Sequence, residues 1–169
     1  MLREIANLKK VLSEYSHGCI MIDVPHELSE YILKDLSQKV PEDILKKNQD
    51  ETLLGFEPSS HVTVLFGVDK HPEIKDFKPF KVKSADHVDY FDNDDATVII
   101  IPIESPELNN LHEHLKDTIP NAETYPTFQP HCTLCYTKPG SRIEIDKIKS
   151  FEWTCEKLLW AYDGKITEL

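Results

Sequence analysis

Two short runs constrain this chain more than anything else in it: His61-Val62-Thr63-Val64-Leu65-Phe66 and His131-Cys132-Thr133-Leu134-Cys135-Tyr136. Each opens on His-x-Thr and continues in apolar residues. In an extended strand successive side chains point to opposite faces, so His61 and Thr63 are expected together and Val62, Val64 and Phe66 on the other side. The same alternation groups His131 with Thr133 and turns Cys132, Leu134 and Tyr136 away. A polar pair on one face and an apolar triple on the other suits a sheet packed on a core on one side and open to a cleft on the other.

The surroundings of the two runs repeat as well. Ahead of the first stand Cys19-Ile20-Met21-Ile22-Asp23-Val24, then Pro25, then Leu28, Tyr31, Ile32 and Leu36 at helical spacing. Ahead of the second stand Thr97-Val98-Ile99-Ile100-Ile101-Pro102-Ile103, then Pro106, then Leu108, Leu111, Leu115 and Ile119. Both halves therefore predict strand, proline at a helix start, amphipathic helix, loop and His-x-Thr strand. The loops differ in length, but the shared order describes a duplicated unit whose copies face one another.

With these residues the chain resembles the 2H phosphoesterase superfamily, which includes LigT-like RNA 2′,5′-ligase/phosphodiesterases and cyclic phosphodiesterases. The resemblance rests on His61-Val62-Thr63-Val64 and His131-Cys132-Thr133-Leu134. Ile22-Asp23-Val24-Pro25-His26-Glu27-Leu28 and Phe128-Gln129-Pro130 support it, and it spans residues 17 to 169. It implies an α+β fold, two-lobed and pseudo-symmetric, with antiparallel-rich sheets lining a central cleft and helices on the outer faces. It implies a catalytic pair, His61 and His131, with Thr63 and Thr133 as phosphate binders. No metal and no cofactor are called for.

The chemistry of such a quartet follows from its groups. Breaking a phosphodiester needs one group to take a proton from the attacking oxygen and another to protonate the leaving oxygen. Histidine serves both roles because its unperturbed pKa of about 6.5 leaves either form accessible near neutrality. Threonine hydroxyls can donate to the non-bridging oxygens as charge develops. Which imidazole is base and which acid is open at this level, as is hydrolysis against ligation or cyclisation. A single His-x-Thr would read as a structural strand residue beside a common strand former; two, in matched settings, read as a site.

Substrate class follows from charge. The chain carries 19 Lys+Arg against 30 Asp+Glu, a formal net charge of −11. A protein tracking a long phosphate backbone gains affinity from a basic stripe, and none is visible here. The expected partner is a small nucleotide or cyclic oligonucleotide, or a short RNA end; long nucleic acid and membranes are not expected. Superfamily relatives include phage proteins that destroy immune second messengers. The expected function is thus metal-independent cleavage of a cyclic or 2′,5′-linked oligonucleotide signal. RNA-end processing is the alternative, and a non-catalytic nucleotide-binding module a third reading.

At 169 residues one domain is expected, spanning 1–169, as a monomer, with no apolar run long enough to cross a bilayer. The charged start, Met1-Leu2-Arg3-Glu4-Ile5, lacks a signal-peptide core, so a cytoplasmic protein is expected. Leu2, Ile5, Leu8, Leu12 and Tyr15 predict an amphipathic helix over 1–15, packed on the domain. Helix 26–39 ends before Pro41. Residues 41–60 form a long connection, a lid or a surface excursion, whose Lys46 and Lys47 are candidate phosphate contacts or solvated lysines.

Further on, 80–90 alternates as a strand, Asp92-Asn93-Asp94-Asp95 is a hairpin turn and 96–103 a strand. Helix 106–118 carries His112 and His114, whose two-residue spacing splays them apart, so both are expected at the surface. Tyr125 and Phe128 precede the second motif; stacking on a nucleobase and core packing account for them equally well. Residues 151–162 read as one or two strands, with a turn at Asp163-Gly164 before 165–169. Strand parity separates Cys132 from Cys135, and with Cys19 and Cys155 they read as buried free thiols rather than a metal site.

Overall fold

A computed structural model describes residues 17–46, 55–57 and 59–169. The predicted helix over 1–15 lies outside the described residues. Strand β1 (Cys19–Asp23) is followed by α1 (His26–Tyr31), which runs on into a π-helical turn (Ile32–Leu36) and a 3-10 turn (Ser37–Lys39). Proline at 25 sets the entry and Pro41 ends the path. Then come β2 (His61–Phe66), β3 (Phe80–Ser84), β4 (Asp89–Asp92), β5 (Thr97–Glu104) and α2 (Pro106–Thr118). Strands β6 (His131–Thr137), β7 (Glu152–Cys155), β8 (Leu159–Tyr162) and β9 (Lys165–Glu168) complete the chain.

The strands form a curled antiparallel sheet in the order β7-β3-β5-β6-β2-β1-β8-β9, with β4 also on β5. The duplicated strands thus meet at the centre, β2 against β6. The predicted single strand 80–90 is two: β3 pairs the C-terminal end of β5 and β4 its N-terminal end, with Ala85–Val88 bending between them. Asn93 explains the hairpin, since its side-chain oxygen accepts from the backbone N–H of both Asp95 and Ala96. Helix α2 begins where the sequence places it: Pro106 fills the first turn and the Ser105 hydroxyl accepts from Leu108 N.

Both helices cover one face of the sheet. Leu28, Ile32 and Leu36 of the α1 segment and Leu108 and Leu115 of α2 bury against Ile20, Ile22, Val62, Leu65, Ile99, Ile101 and Leu134. Full burial of such a side chain contributes about 1.5–3 kcal/mol, so this face holds the fold together. The opposite face carries the His-x-Thr pairs. His114 is at the surface as expected, but His112 is not: it is 2% exposed, on the buried side of α2 one turn after Leu108. Its Nδ1–H donates to the Val64 carbonyl at 2.6 Å, and its ring stacks on Phe128 at 4.0 Å.

Why Val64 needs that partner is a matter of register. Between β1 and β2 the pairs Ile20↔Leu65 and Met21↔Thr63 skip Val64, a β-bulge. Between β5 and β6 the pairs Ile99↔Cys135 and Ile100↔Thr133 skip Leu134. The two copies therefore carry the same bulge at the same place. One extra residue reverses the parity of everything after it, so Phe66 and Tyr136 turn onto the histidine face, against the strict alternation expected from the sequence. The burial of β6 shows it directly: Leu134 and Cys135 are both fully buried, while His131, Thr133 and Tyr136 are half-exposed.

The same shift corrects the reading of Cys132 and Cys135. They share the core face rather than pointing apart, both at 0% exposure, and burial pushes each thiol up to about 12. All four cysteines are free thiols. No helix among the described residues is long and apolar enough to cross a membrane.

Candidate active site

Strands β2 and β6 pair antiparallel through Val62↔Cys132. Continuing that register by one residue sets His61 opposite Thr133 and Thr63 opposite His131. The two imidazoles then occupy the diagonal of a square and the two hydroxyls the other diagonal, all on one face. Diagonal positions across an antiparallel pair lie about 7–8 Å apart at the backbone, a span that a phosphate group bridges. The proximity is felt electrostatically, since a charge on His61 disfavours a charge on His131.

The two rings are held alike. His61 Nδ1 lies 2.9 Å from the Ser59 carbonyl, and His131 Nδ1 lies 2.7 Å from the Gln129 carbonyl. A carbonyl oxygen only accepts, so each Nδ1 carries the proton and donates. In the neutral ring the lone pair is then at Nε2, the nitrogen that projects from the strand. Each imidazole is therefore anchored by the residue two before it and presents one nitrogen able to take or give a proton. This arrangement suits a single group bound between them.

Around this matched pair the environments differ. On the His131 side, Phe91 of β4 meets the imidazole edge to face at 4.9 Å, and Pro102 of β5 lies opposite it in register. Phe91 and Tyr136 pack with Ala96, Val98 and Ile100 in a second apolar cluster on this face. Burial holds the His131 pKa below the usual histidine value, with His61 pushing the same way; the Gln129 carbonyl and the Glu57 carboxylate pull it back up. On the other side, Asp23 of β1 is opposite His61 in register and is exposed.

The connection 41–60 reaches the site from its described ends. Leu45 and Phe56 pair with Thr137 and Cys135 on the edge of β6 that β2 has left. Lys46 N–H donates to the Tyr136 carbonyl at 2.9 Å, and Lys47 lies outside the described residues. Glu57 follows Phe56, and its carboxylate accepts from the Tyr136 hydroxyl at 2.7 Å.

Of the residues expected at the site, His61, Thr63, His131 and Thr133 come together. Phe128 packs on the main core against His112, and Tyr125 is 70% exposed on the loop before β6. Phe91 and Tyr136 also lie on this face, with Glu57 bonded to Tyr136 and Phe66 at the position matching Tyr136, and the alternation of the sequence places none of them there. The signal for Phe66 and Tyr136 was present in both runs, as a Thr followed by two apolar residues and then an aromatic. Nothing local marks Phe91 or Glu57, which reach the face through long-range pairing.

The model of the family described as anti-CBASS protein Acb1 matches residues 29–157. No curated protein matches the chain. Among solved structures, TT0787 of Thermus thermophilus is similar over 90% of this chain and 94% of its own, with 18% identity and a TM-score of 0.58. E. coli LigT complexed with 3′-AMP is similar over the same shares, with 14% identity and a TM-score of 0.59. A structure described as a phosphoesterase matches over 89% of this chain and 92% of its own, with 14% identity and a TM-score of 0.56. At these identities the structures speak for the fold.

Proposed function

The chain belongs to the anti-CBASS Acb1 family, a family of 2H phosphoesterases, and on that premise we propose that it cleaves a phosphodiester bond in a cyclic oligonucleotide signal. His61 and His131 divide the proton transfers. One Nε2 removes a proton from the attacking hydroxyl or water, and the other protonates the leaving oxygen as the phosphorus–oxygen bond breaks. Thr63 and Thr133 donate to the non-bridging oxygens and hold the phosphate between the rings. The apolar wall of Phe91 and Tyr136 offers the adjoining nucleobase a surface that needs no charge.

The observation that supports this reading best is the matched anchoring of the two imidazoles, each with Nδ1 spent on a carbonyl and Nε2 left to the cleft face. The charge of −11 favours a small substrate over a long polyanion. The test is incubation with cyclic dinucleotides, cyclic trinucleotides, 2′,5′-oligoadenylate and 2′,3′-cyclic nucleotides, followed by mass spectrometry. Cleavage of cyclic oligonucleotides is expected, undiminished by EDTA, and reduced about 10²- to 10⁴-fold in His61→Ala and in His131→Ala. Cleavage confined to 2′,3′-cyclic nucleotides would transfer the reading to RNA-end processing. Return of every ligand intact would make the protein a binding module.

A further inference from the structure

The duplication is imperfect at two places that matter, and both bear on proton transfer. Opposite His61 in β1 stands the exposed Asp23, whereas the matching position opposite His131 in β5 is Pro102. The first ring therefore has a carboxylate on the neighbouring strand, and the second has an aliphatic ring there and Phe91 at its edge. An apolar surround favours a neutral imidazole. The second difference is Glu57, which the Tyr136 hydroxyl holds on the His131 side of the cleft face.

Resting on the functional reading above, we infer that His131 is the general base and His61 the general acid, with Glu57 a positioning residue that stabilises the His131 imidazolium as it forms. The cycle starts with His131 neutral and His61 protonated. His131 Nε2 takes the proton of the attacking oxygen as the new bond to phosphorus forms. His61 Nε2 gives its proton to the oxygen that leaves as the old bond breaks. The two rings then return to their starting states by exchange with water. Glu57 touches no reacting atom in this scheme; its carboxylate offsets the charge that arrives on a half-buried ring flanked by Phe91 and Pro102.

Among the described residues, the charged groups that bear on His131 are His61 from β2 and Glu57 from the segment before β2, with the Tyr136 phenol on the same face bonded to Glu57; the facing positions on β4 and β5, Phe91 and Pro102, carry no charge. Burial holds the His131 pKa low and the Glu57 carboxylate pulls it up. Removing that carboxylate therefore lowers it further.

The experiment is the pH profile of kcat/KM for the full chain with 3′,3′-cyclic di-AMP, or the panel member cleaved fastest, as probe. The acidic limb reports the group that must be neutral and the basic limb the group that must be protonated. Glu57→Gln keeps an oxygen for the Tyr136 hydroxyl and removes only the charge. It is expected to move the acidic limb down by about half a unit to one unit, leave the basic limb in place and lower kcat several-fold. A basic limb that moves in Glu57→Gln while the acidic limb stays in place overturns the assignment. Limbs unmoved in folded Glu57→Gln, checked by its thermal melt, make Glu57 structural and also overturn it. No cleavage of any panel member by the wild type would overturn the functional reading and this assignment together; cleavage with the wrong limb moving overturns the assignment alone.

Discussion

A histidine on a strand is ordinarily a hydrogen-bonded surface residue, and what distinguishes His61 and His131 is where that hydrogen bond goes. Each ring spends Nδ1 on a carbonyl two residues back along its own strand approach, Ser59 in one copy and Gln129 in the other. That local bond sets the tautomer and the ring orientation together, so the reactive nitrogen is defined before any substrate arrives. The threonines stand opposite them across the strand pair, half-exposed, where a hydroxyl can reach a bound phosphate. Replacing either with valine keeps the shape and removes the donor. Thr63→Val and Thr133→Val are each expected to lower kcat about 10- to 100-fold, by analogy with loss of one donor to a developing oxyanion. Their melting temperatures should stay within a few degrees of wild type, since neither hydroxyl is part of the core. A steady-state assay beside a thermal melt checks both halves of that expectation.

At the level of the strand, the bulges at Val64 and Leu134 do what a plain strand could not. They let each motif place His, Thr and an aromatic on one face while two consecutive apolar residues go into the core. The cost is an unpaired carbonyl at the skipped residue, and in β2 a buried histidine from α2 supplies the missing donor. His112 is thus a structural histidine that acts on the motif strand from behind. Substituting His112→Phe would keep the stack on Phe128 and leave the Val64 carbonyl without its partner. The expected loss is about 1–3 kcal/mol in urea unfolding, the usual cost of a buried polar group left unsatisfied, with the slope against denaturant unchanged. A stability equal to wild type would mean that another donor reaches the carbonyl.

The whole molecule is acidic, and its proposed substrate is an anion. With a net charge of −11 the surface repels a cyclic oligonucleotide on approach, and the Glu57 carboxylate adds to that repulsion inside the cleft. Added salt screens such repulsion, with a screening length of about 10 Å at 0.1 M. The value of kcat/KM is therefore expected to rise, by about two- to fivefold, between roughly 20 and 200 mM KCl, the reverse of the behaviour of proteins that bind through basic stripes. A stopped assay at constant pH across that range checks it, and a fall would point to a positive patch that the net charge conceals. Placing β2 beside β6 brings the two motif strands together at the centre, with the two flanking apolar clusters on either side of the sheet.

The pattern of residues was enough to determine the duplication, the strand–helix–strand order of each copy and the start and end of α2, and to single out His61, Thr63, His131 and Thr133 as candidates. These depend on local periodicity, proline placement and capping, which act within a few residues. The tertiary structure alone decided which residues share the histidine face beyond Thr63 and Thr133. A bulge is a property of two strands in register, invisible in either one, and it moved Phe66 and Tyr136 onto that face and Cys135 off it. It also decided the inequality of the two histidines. Pro102, Phe91 and Glu57 approach His131 from β5, β4 and the edge of β6, and only the pairing of distant segments brings such groups to one ring.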